Sequence, residues 1–204
     1  MKEIRAILFD ADGVIQLPST GWRDSLCEIC GDKYNPSDFI KKIFIIEEPC
    51  LKGIKSFPEN VSETFNKMGI ESKLNSFLVV WTAIESNKTI ITEIRNIRKQ
   101  GVVVALASNQ EKFRAEYMNN NLGYEKIFDY SFYSYEMGFI KSEKEYFENV
   151  LTILDIDAHE ILFFDDSKEN IESATNLGIN SEYFCLEDED INLIELIDKY
   201  KLIA

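Results

Sequence analysis

Residues 6–15 read AILFDADGVI, an apolar run that ends in two aspartates and a glycine. Such a continuous run of apolar residues is typical of a strand that is buried on both faces of a parallel sheet. Carboxylates are costly to remove from water. We therefore expect Asp10 and Asp12 at the open edge of the sheet, where this strand ends and where other groups offset their charge.

Partner strands for this segment are expected further along the chain. Residues 102–107 and 161–164 are predicted as buried strands, and residues 130–134 and 182–185 as weaker ones. The segments between them have helical periodicity, with Gly101 and Gly178 as C-terminal caps, a capping box at Ser142 and Glu145, and a helix start at Ser167. Alternating strands and helices predict a doubly wound, mostly parallel α/β sheet with a Rossmann-like core.

Residues 16–88 depart from this alternation, because they read as several helices without a convincing buried strand. We interpret them as a small helical cap inserted after the first strand. The predicted α/β catalytic core then consists of residues 1–15 and 89–204, and the cap of residues 16–88.

Composition narrows the classes of function. The chain of 204 residues carries a formal charge of −14, which argues against a broad surface for nucleic acid or anionic membranes. It has no apolar stretch near the length of a membrane span and no leader-like N-terminal segment, so a cytoplasmic location is expected. The four cysteines read as reduced thiols; for Cys27 and Cys30, two thiols on one helical turn are favoured over a zinc or redox site.

Polar residues follow each strong strand, and ligands of doubly wound sheets collect at that edge. Each motif alone has a structural explanation as a turn or a helix cap. Together they gather four acids at one point, which would repel one another unless a cation lay among them, and hard oxygen ligands favour Mg²⁺. The residues expected at this edge are Asp10, Asp12, Ser108, Asn109, Lys141, Asp165 and Asp166.

These motifs resemble those of the haloacid dehalogenase-like hydrolase superfamily. LFDADGV is similar to its first motif, LASN to its second, Lys141 to its third, and FFDDSKENIESATNLGI to its fourth. The resemblance spans residues 7–179 and extends to a helical cap after the first motif. Within the superfamily, the last motif and the short cap are similar to those of the sugar-phosphate phosphatases and of the phosphatase domain of soluble epoxide hydrolase. This similarity implies a Mg²⁺-dependent phosphatase acting on a small phosphorylated metabolite through an aspartyl-phosphate.

The resemblance also implies roles for individual residues. Asp10 would be the nucleophile, and Asp12 the acid that protonates the leaving oxygen and then the base that activates water. Lys141 would hold Asp10 and the phosphate, together with Ser108 and the backbone N–H of Asn109.

The metal ligands are implied in the same way. Mg²⁺ would bind a carboxylate oxygen of Asp10, the backbone carbonyl of Asp12 and a carboxylate oxygen of Asp166. Asp165 would orient this set from outside the coordination sphere, and Asn170 would steady the loop. One departure from the family pattern is Ser142, since a proline often follows the lysine of the third motif.

Two alternatives to a phosphatase stay open in the sequence. The acid at position 12 favours phosphoryl transfer over dehalogenation, but a phosphomutase shares these motifs, and a non-catalytic protein that binds a phosphorylated ligand is conceivable.

In the cap, Trp22 and Arg23 are candidates to face the substrate, and Lys52 and Lys55 to meet a second anionic group, although solvent exposure is the simpler expectation for each. The sequence indicates neither the particular phosphomonoester nor the oligomeric state.

Overall fold

The computed structural model describes residues 2–204. Within these residues, nine strands form one large sheet and two short ribbons. The strands are β1 (Glu3–Ile4), β2 (Ala6–Phe9), β3 (Gln16–Pro18), β4 (Ile84–Ser86), β5 (Val103–Ser108), β6 (Tyr130–Tyr133), β7 (Ile161–Asp165), β8 (Asn180–Tyr183) and β9 (Lys201–Leu202).

Helices connect these strands, together with short 3-10 turns at Glu71–Lys73 and Ala158–Glu160. The helices are α1 (Trp22–Cys30), α2 (Pro36–Leu51), α3 (Phe57–Met68), α4 (Leu74–Trp81), α5 (Lys88–Lys99), α6 (Lys112–Asn120), α7 (Tyr124–Ile127), α8 (Ser134–Met137), α9 (Lys144–Leu154), α10 (Lys168–Asn176) and α11 (Leu193–Ile197).

The central sheet has five parallel strands in the order β6-β5-β2-β7-β8. Strand β2 is its middle strand, and Phe9 lies opposite Leu106 of β5 and Phe164 of β7. The ends of the three strands therefore lie close together, and the residue after Phe9 is the nucleophile candidate Asp10. This register brings the polar residues that follow each strand to one edge of the sheet, as the sequence predicts.

Buried apolar residues cover both faces of the sheet. One cluster packs the side chains of β2, β5 and β7 against α5, and the other packs the alternate side chains of these strands against α9. A sheet covered on both faces explains the continuous apolar runs. The predicted fold class, a doubly wound parallel α/β sheet, is confirmed, as are the strands predicted at 102–107, 130–134, 161–164 and 182–185 within a few residues.

The start of one helix differs from the prediction. Helix α9 begins at Lys144 with Glu143 at its N-cap position, so the capping box proposed for Ser142 and Glu145 is wrong. The carboxylate of Glu143 accepts a hydrogen bond from the backbone N–H of Ile140 at 3.0 Å and pairs with Lys52 at 2.6 Å. Because this carboxylate binds the turn that carries Lys141, the loop is held without a serine cap.

Helices α1–α4 lie between β3 and β4, which pair as an antiparallel ribbon. This ribbon was missed by the sequence analysis, because each strand has only three residues. The four helices share an apolar cluster that includes the buried Trp81. We call these four helices the cap; its separation as a domain at residues 16–88 stays a prediction.

Among the residues that the structure describes, no helix has both the length and the apolar character needed to cross a bilayer.

Candidate active site

Lys141 joins two acids from neighbouring strands. Its ammonium group lies 2.5 Å from Oδ1 of Asp10 and 2.7 Å from Oδ2 of Asp165, and all three side chains are buried. Burial raises the pKa of Asp10 well above its usual value, the Lys141 ammonium opposes this rise, and the charge of Asp165 adds to it. Burial alone would lower the pKa of Lys141, but the two carboxylates reverse that effect and raise it. Lys141 is therefore held as a cation.

The two adjacent aspartates at the end of β7 have different surroundings, Asp165 being the last residue of the strand and Asp166 the next one. Asp165 is fully buried, and its oxygens accept hydrogen bonds from Lys141, from the backbone N–H of Ser167 at 2.7 Å and from the side chain of Asn170 at 3.1 Å. Asp166 is half-buried and lines the open cavity beside Asp10. Burial raises the pKa of Asp166, and the neighbouring charge of Asp165 raises it further. Asp166 thus faces the cavity, whereas the oxygens of Asp165 are already hydrogen-bonded to its neighbours.

Gly13 allows Asp166 to approach the first loop. It has a left-handed φ of +81°, and a Cβ atom at this position would collide with Oδ2 of Asp166. Both the backbone conformation and the close approach require glycine here. The glycine after the two aspartates therefore has a structural role at the site itself.

Ser108 is the last residue of β5 and Asn109 follows it, and both line the same cavity as Asp10. Ser108 is 1% exposed, at the rim of the sheet. The side-chain oxygen of Asn109 accepts a hydrogen bond from the backbone N–H of Lys141 at 2.9 Å. Asn109 thereby holds the loop that carries the lysine, a contact that the sequence analysis did not anticipate.

Asp12 lies two residues beyond Asp10, with its carboxylate held by three side chains. Gln16 Nε2 donates to Oδ1 at 3.0 Å, Arg114 Nη2 donates to the same oxygen at 2.8 Å, and Gln110 Nε2 donates to Oδ2. Gln16, Gln110 and Arg114 are themselves buried. Sequence reasoning missed all three, and the only signal for the latter two is their position just after the second motif.

The carboxylates suit a hard divalent cation. Oxygen atoms of Asp10, Asp165 and Asp166 lie within 4.8 Å of one another. Three crowded acids with one ammonium among them leave negative charge to be offset, and oxygen donors are the ligands that Mg²⁺ prefers. Because the oxygens of Asp165 already have partners, Asp10 and Asp166 are the side chains that fit the ion.

Two adjoining cavities open above this edge. The first, about 410 Å³, is lined by Asp10, Asp12, Ser108, Lys141 and Asp166, among others. The second, about 460 Å³, is lined by the cap residues Trp22, Arg23, Ile40 and Phe44. Both cavities share Leu17, Pro18 and Glu187, so they form one continuous groove from the acids to the cap.

The other cap candidates lie elsewhere. Lys52 is paired with Glu143, and Lys55 is exposed and lines a separate cavity between the cap and α6. Cys27 and Cys30 lie on α1 as free thiols, with Cys30 buried. Neither lysine reaches the groove, whereas Trp22 and Arg23 line it.

An aspartate pair, a lysine and two further acids meet at the carboxyl edge of a parallel sheet, which is the arrangement expected from the four sequence motifs. The chain belongs to the haloacid dehalogenase-like hydrolase family, whose model matches residues 4–178. The family predicted from the four motifs is thus confirmed.

Comparisons with individual proteins agree with this assignment. The chain is 24% identical over 187 residues to a phosphorylated carbohydrates phosphatase of Thermotoga maritima, covering 88% of this chain and 84% of the relative. A haloacid dehalogenase family enzyme of Bacteroides thetaiotaomicron, bt-2542, has the same fold, with a TM-score of 0.81, 22% identity and coverage of 96% and 99%. A structure of the wild-type Bacteroides enzyme in complex with magnesium and inorganic phosphate has a TM-score of 0.75, 24% identity and coverage of 91% and 97%.

Proposed function

We propose that the protein is a phosphatase that hydrolyses a small phosphomonoester, such as a sugar phosphate, through an aspartyl-phosphate on Asp10. The observation that carries this proposal is the contact of Lys141 with Asp10, beside Ser108 and Asp166, at the floor of an open cavity. The similarity to a phosphatase of phosphorylated carbohydrates supports the substrate class.

In the first step, a carboxylate oxygen of Asp10 attacks phosphorus, and the bond between phosphorus and the leaving oxygen breaks. Lys141 holds Oδ1 of Asp10 at 2.5 Å, which fixes the orientation of the nucleophile. Asp12 gives its proton to the leaving oxygen. Ser108 and the backbone of Asn109 line the cavity where the phosphate oxygens would lie.

In the second step, water attacks the phosphorus of the aspartyl-phosphate. Asp12, now a carboxylate, takes the proton from this water, and the bond between phosphorus and the Asp10 oxygen breaks. Inorganic phosphate leaves and Asp10 is regenerated. Each residue then returns to its starting protonation state.

Magnesium fits this site with Asp10 and Asp166 as side-chain ligands and the backbone carbonyl of Asp12 as a third. Bound there, Mg²⁺ would offset the charge of the acids and of the phosphate. The magnesium complexes of the Bacteroides enzyme support this cofactor.

The second cavity would receive the leaving group. Trp22 and Phe44 offer aromatic surface there, and the indole Nε1 of Trp22 is buried without a hydrogen-bond partner among the described residues. Glu187 at the junction and the exposed Arg23 supply polar groups. This mixture suits a small hydroxylated molecule better than a large apolar one.

The test is phosphate release from a panel of sugar phosphates and from p-nitrophenyl phosphate, with Mg²⁺ and with a chelator. We expect hydrolysis of at least one sugar phosphate, lost with the chelator. Full activity with the chelator present, or no hydrolysis of any phosphomonoester, would overturn the proposal. Activity that depends on an added sugar bisphosphate would indicate a mutase.

A further inference from the structure

We propose that Arg114 is a positioning residue, through which the cap fixes the orientation of Asp12. This inference rests on the proposed function, because it assigns the residue that orients the proposed acid. Arg114 lies in the first turn of α6 and is separated from Asp12 by 102 positions in the chain.

The contact between Arg114 and Asp12 is protected from solvent. The arginine side chain is only 9% exposed, and its Nη2 lies 2.8 Å from Oδ1 of the carboxylate. Gln110 and Gln16 hold the same carboxylate through neutral amides. Among the described residues, Arg114 is the only one in a salt bridge with Asp12, so it contributes a charge-assisted hydrogen bond.

The cap contacts the other side of the guanidinium. Its carbon lies 5.5 Å from the ring centroid of Trp81, the last residue of α4. The indole Nε1 of Trp81 donates to Glu111 at 3.2 Å, and the same carboxylate accepts from the backbone N–H of Arg114 at 3.0 Å. Trp81 therefore reaches the arginine twice, once through its ring and once through Glu111.

The hydrogen-bond network around Asp12 leaves some of its buried polar atoms unpaired. Arg114 Nε and Gln110 Oε1 are buried with no hydrogen-bond partner among the described residues. Unpaired buried polar groups reduce stability. If the network serves to hold Asp12, this explains why Arg114 and Gln110 are kept at buried positions despite that cost.

The test uses leaving groups that differ in their need for a proton. Nitrophenolate leaves readily without protonation, whereas the alkoxide from glycerol 2-phosphate requires the acid. We expect Arg114→Met to lower kcat for glycerol 2-phosphate about tenfold more than kcat for p-nitrophenyl phosphate. A smaller change in the ratio of the two kcat values is expected for Trp81→Phe, which removes the hydrogen bond to Glu111 and replaces the indole beside Arg114 with a smaller ring. Arg114→Lys should recover part of the wild-type ratio.

The control is Arg98→Met, which removes a partly exposed arginine paired with Asp129 at 2.7 Å. The ratio of its kcat for glycerol 2-phosphate to its kcat for p-nitrophenyl phosphate should equal that of the wild type. In an Asp12→Asn background, Arg114→Met should cause no further loss on either substrate.

Equal losses on both substrates in Arg114→Met, with Arg114→Lys and Trp81→Phe at the wild-type ratio, would overturn the inference. That result would leave the proposed phosphatase function intact, provided that the wild type hydrolyses both substrates. If the wild type hydrolyses neither, the proposed function fails first.

Discussion

The ammonium of Lys141 lies 2.5 Å from Oδ1 of Asp10, and both residues are buried at the carboxyl edge of the sheet. The same ammonium reaches Asp165 at 2.7 Å. One cation thus neutralises part of the charge of two acids that the fold brings together. The predictions below follow from this cluster and from the cap above it.

Replacement of Lys141 by Met should destabilise the protein and abolish activity. It leaves two buried carboxylates without their cation, which costs about 3–5 kcal/mol in comparable sites. Urea denaturation measures the free energy of unfolding, and phosphate release should fall about 10²-fold or more. The matched control is Lys144→Met, because Lys144 is 67% exposed in its pair with Glu148. Equal stability of the two variants would contradict this interpretation of the cluster.

Glu47 should make the stability of the protein fall as the pH rises. Burial raises its pKa from 4.5 to about 8, the charge of Arg114 opposes this, and Glu111 and Asp12 add to it. Since the folded state binds a proton that the unfolded chain has lost, the contribution of Glu47 to stability is fully present below pH 4.5 and is lost as the pH rises to about 8. Each pH unit in that window costs up to about 1.4 kcal/mol.

The measurement is the melting temperature between pH 5 and 9 for Glu47→Gln and for the wild type. The variant should be more stable at the upper end and show a flatter profile. Glu48→Gln changes the neighbouring exposed residue and should follow the wild type. Parallel profiles for all three proteins would show that Glu47 does not titrate in this range.

Gly13→Ala should weaken the binding of Mg²⁺ at the site. The added Cβ would meet the Asp166 carboxylate, and φ is +81°. Gly123→Ala is the control, because its φ of +75° is also left-handed but its Cβ would meet nothing within 4 Å. Both variants should lose about 1–2 kcal/mol of stability. Only Gly13→Ala should raise the Mg²⁺ concentration for half-maximal activity, by about 10-fold or more; an equal rise in both would contradict the role of Asp166.

Phe44→Ala should impair binding of the leaving group. Phe44 is 51% exposed and lines the cap cavity, whereas its neighbour Ile45 is 67% exposed and does not. We expect KM for the best sugar phosphate to rise about fivefold to tenfold in Phe44→Ala and to be unchanged in Ile45→Ala. An unchanged KM in both variants would place the leaving group elsewhere.

The sheet and most of the site could be predicted because their signals are local. Continuous apolar runs mark β5 and β7, and the rule that strand ends share an edge then collects Asp10, Ser108 and Asp166. Lys141 follows α8 rather than a strand, and it was located by its resemblance to the third motif of the family. Local sequence motifs and one topological rule were therefore sufficient to predict the sheet and most residues of the site.

The remaining contacts depend on long-range packing. Arg114 meets Asp12 across 102 positions, and nothing in the periodicity of α6 indicates which face of the helix turns inward. The ribbon of β3 and β4 is too short for alternation to be visible. Ser142 matched a capping box, but Glu143 takes the N-cap position, and its carboxylate pairs with Lys52 of the cap and the backbone of Ile140 instead.

Asp10→Asn tests the central claim most directly, because it removes the nucleophile while keeping the volume of the side chain. The measurement is phosphate release from p-nitrophenyl phosphate with saturating Mg²⁺, beside the exposed control Asp198→Asn and with folding verified by circular dichroism. The account predicts a loss of about 10³-fold or more in Asp10→Asn and wild-type activity in the control. Activity of folded Asp10→Asn within about tenfold of the wild type would contradict a covalent mechanism at Asp10.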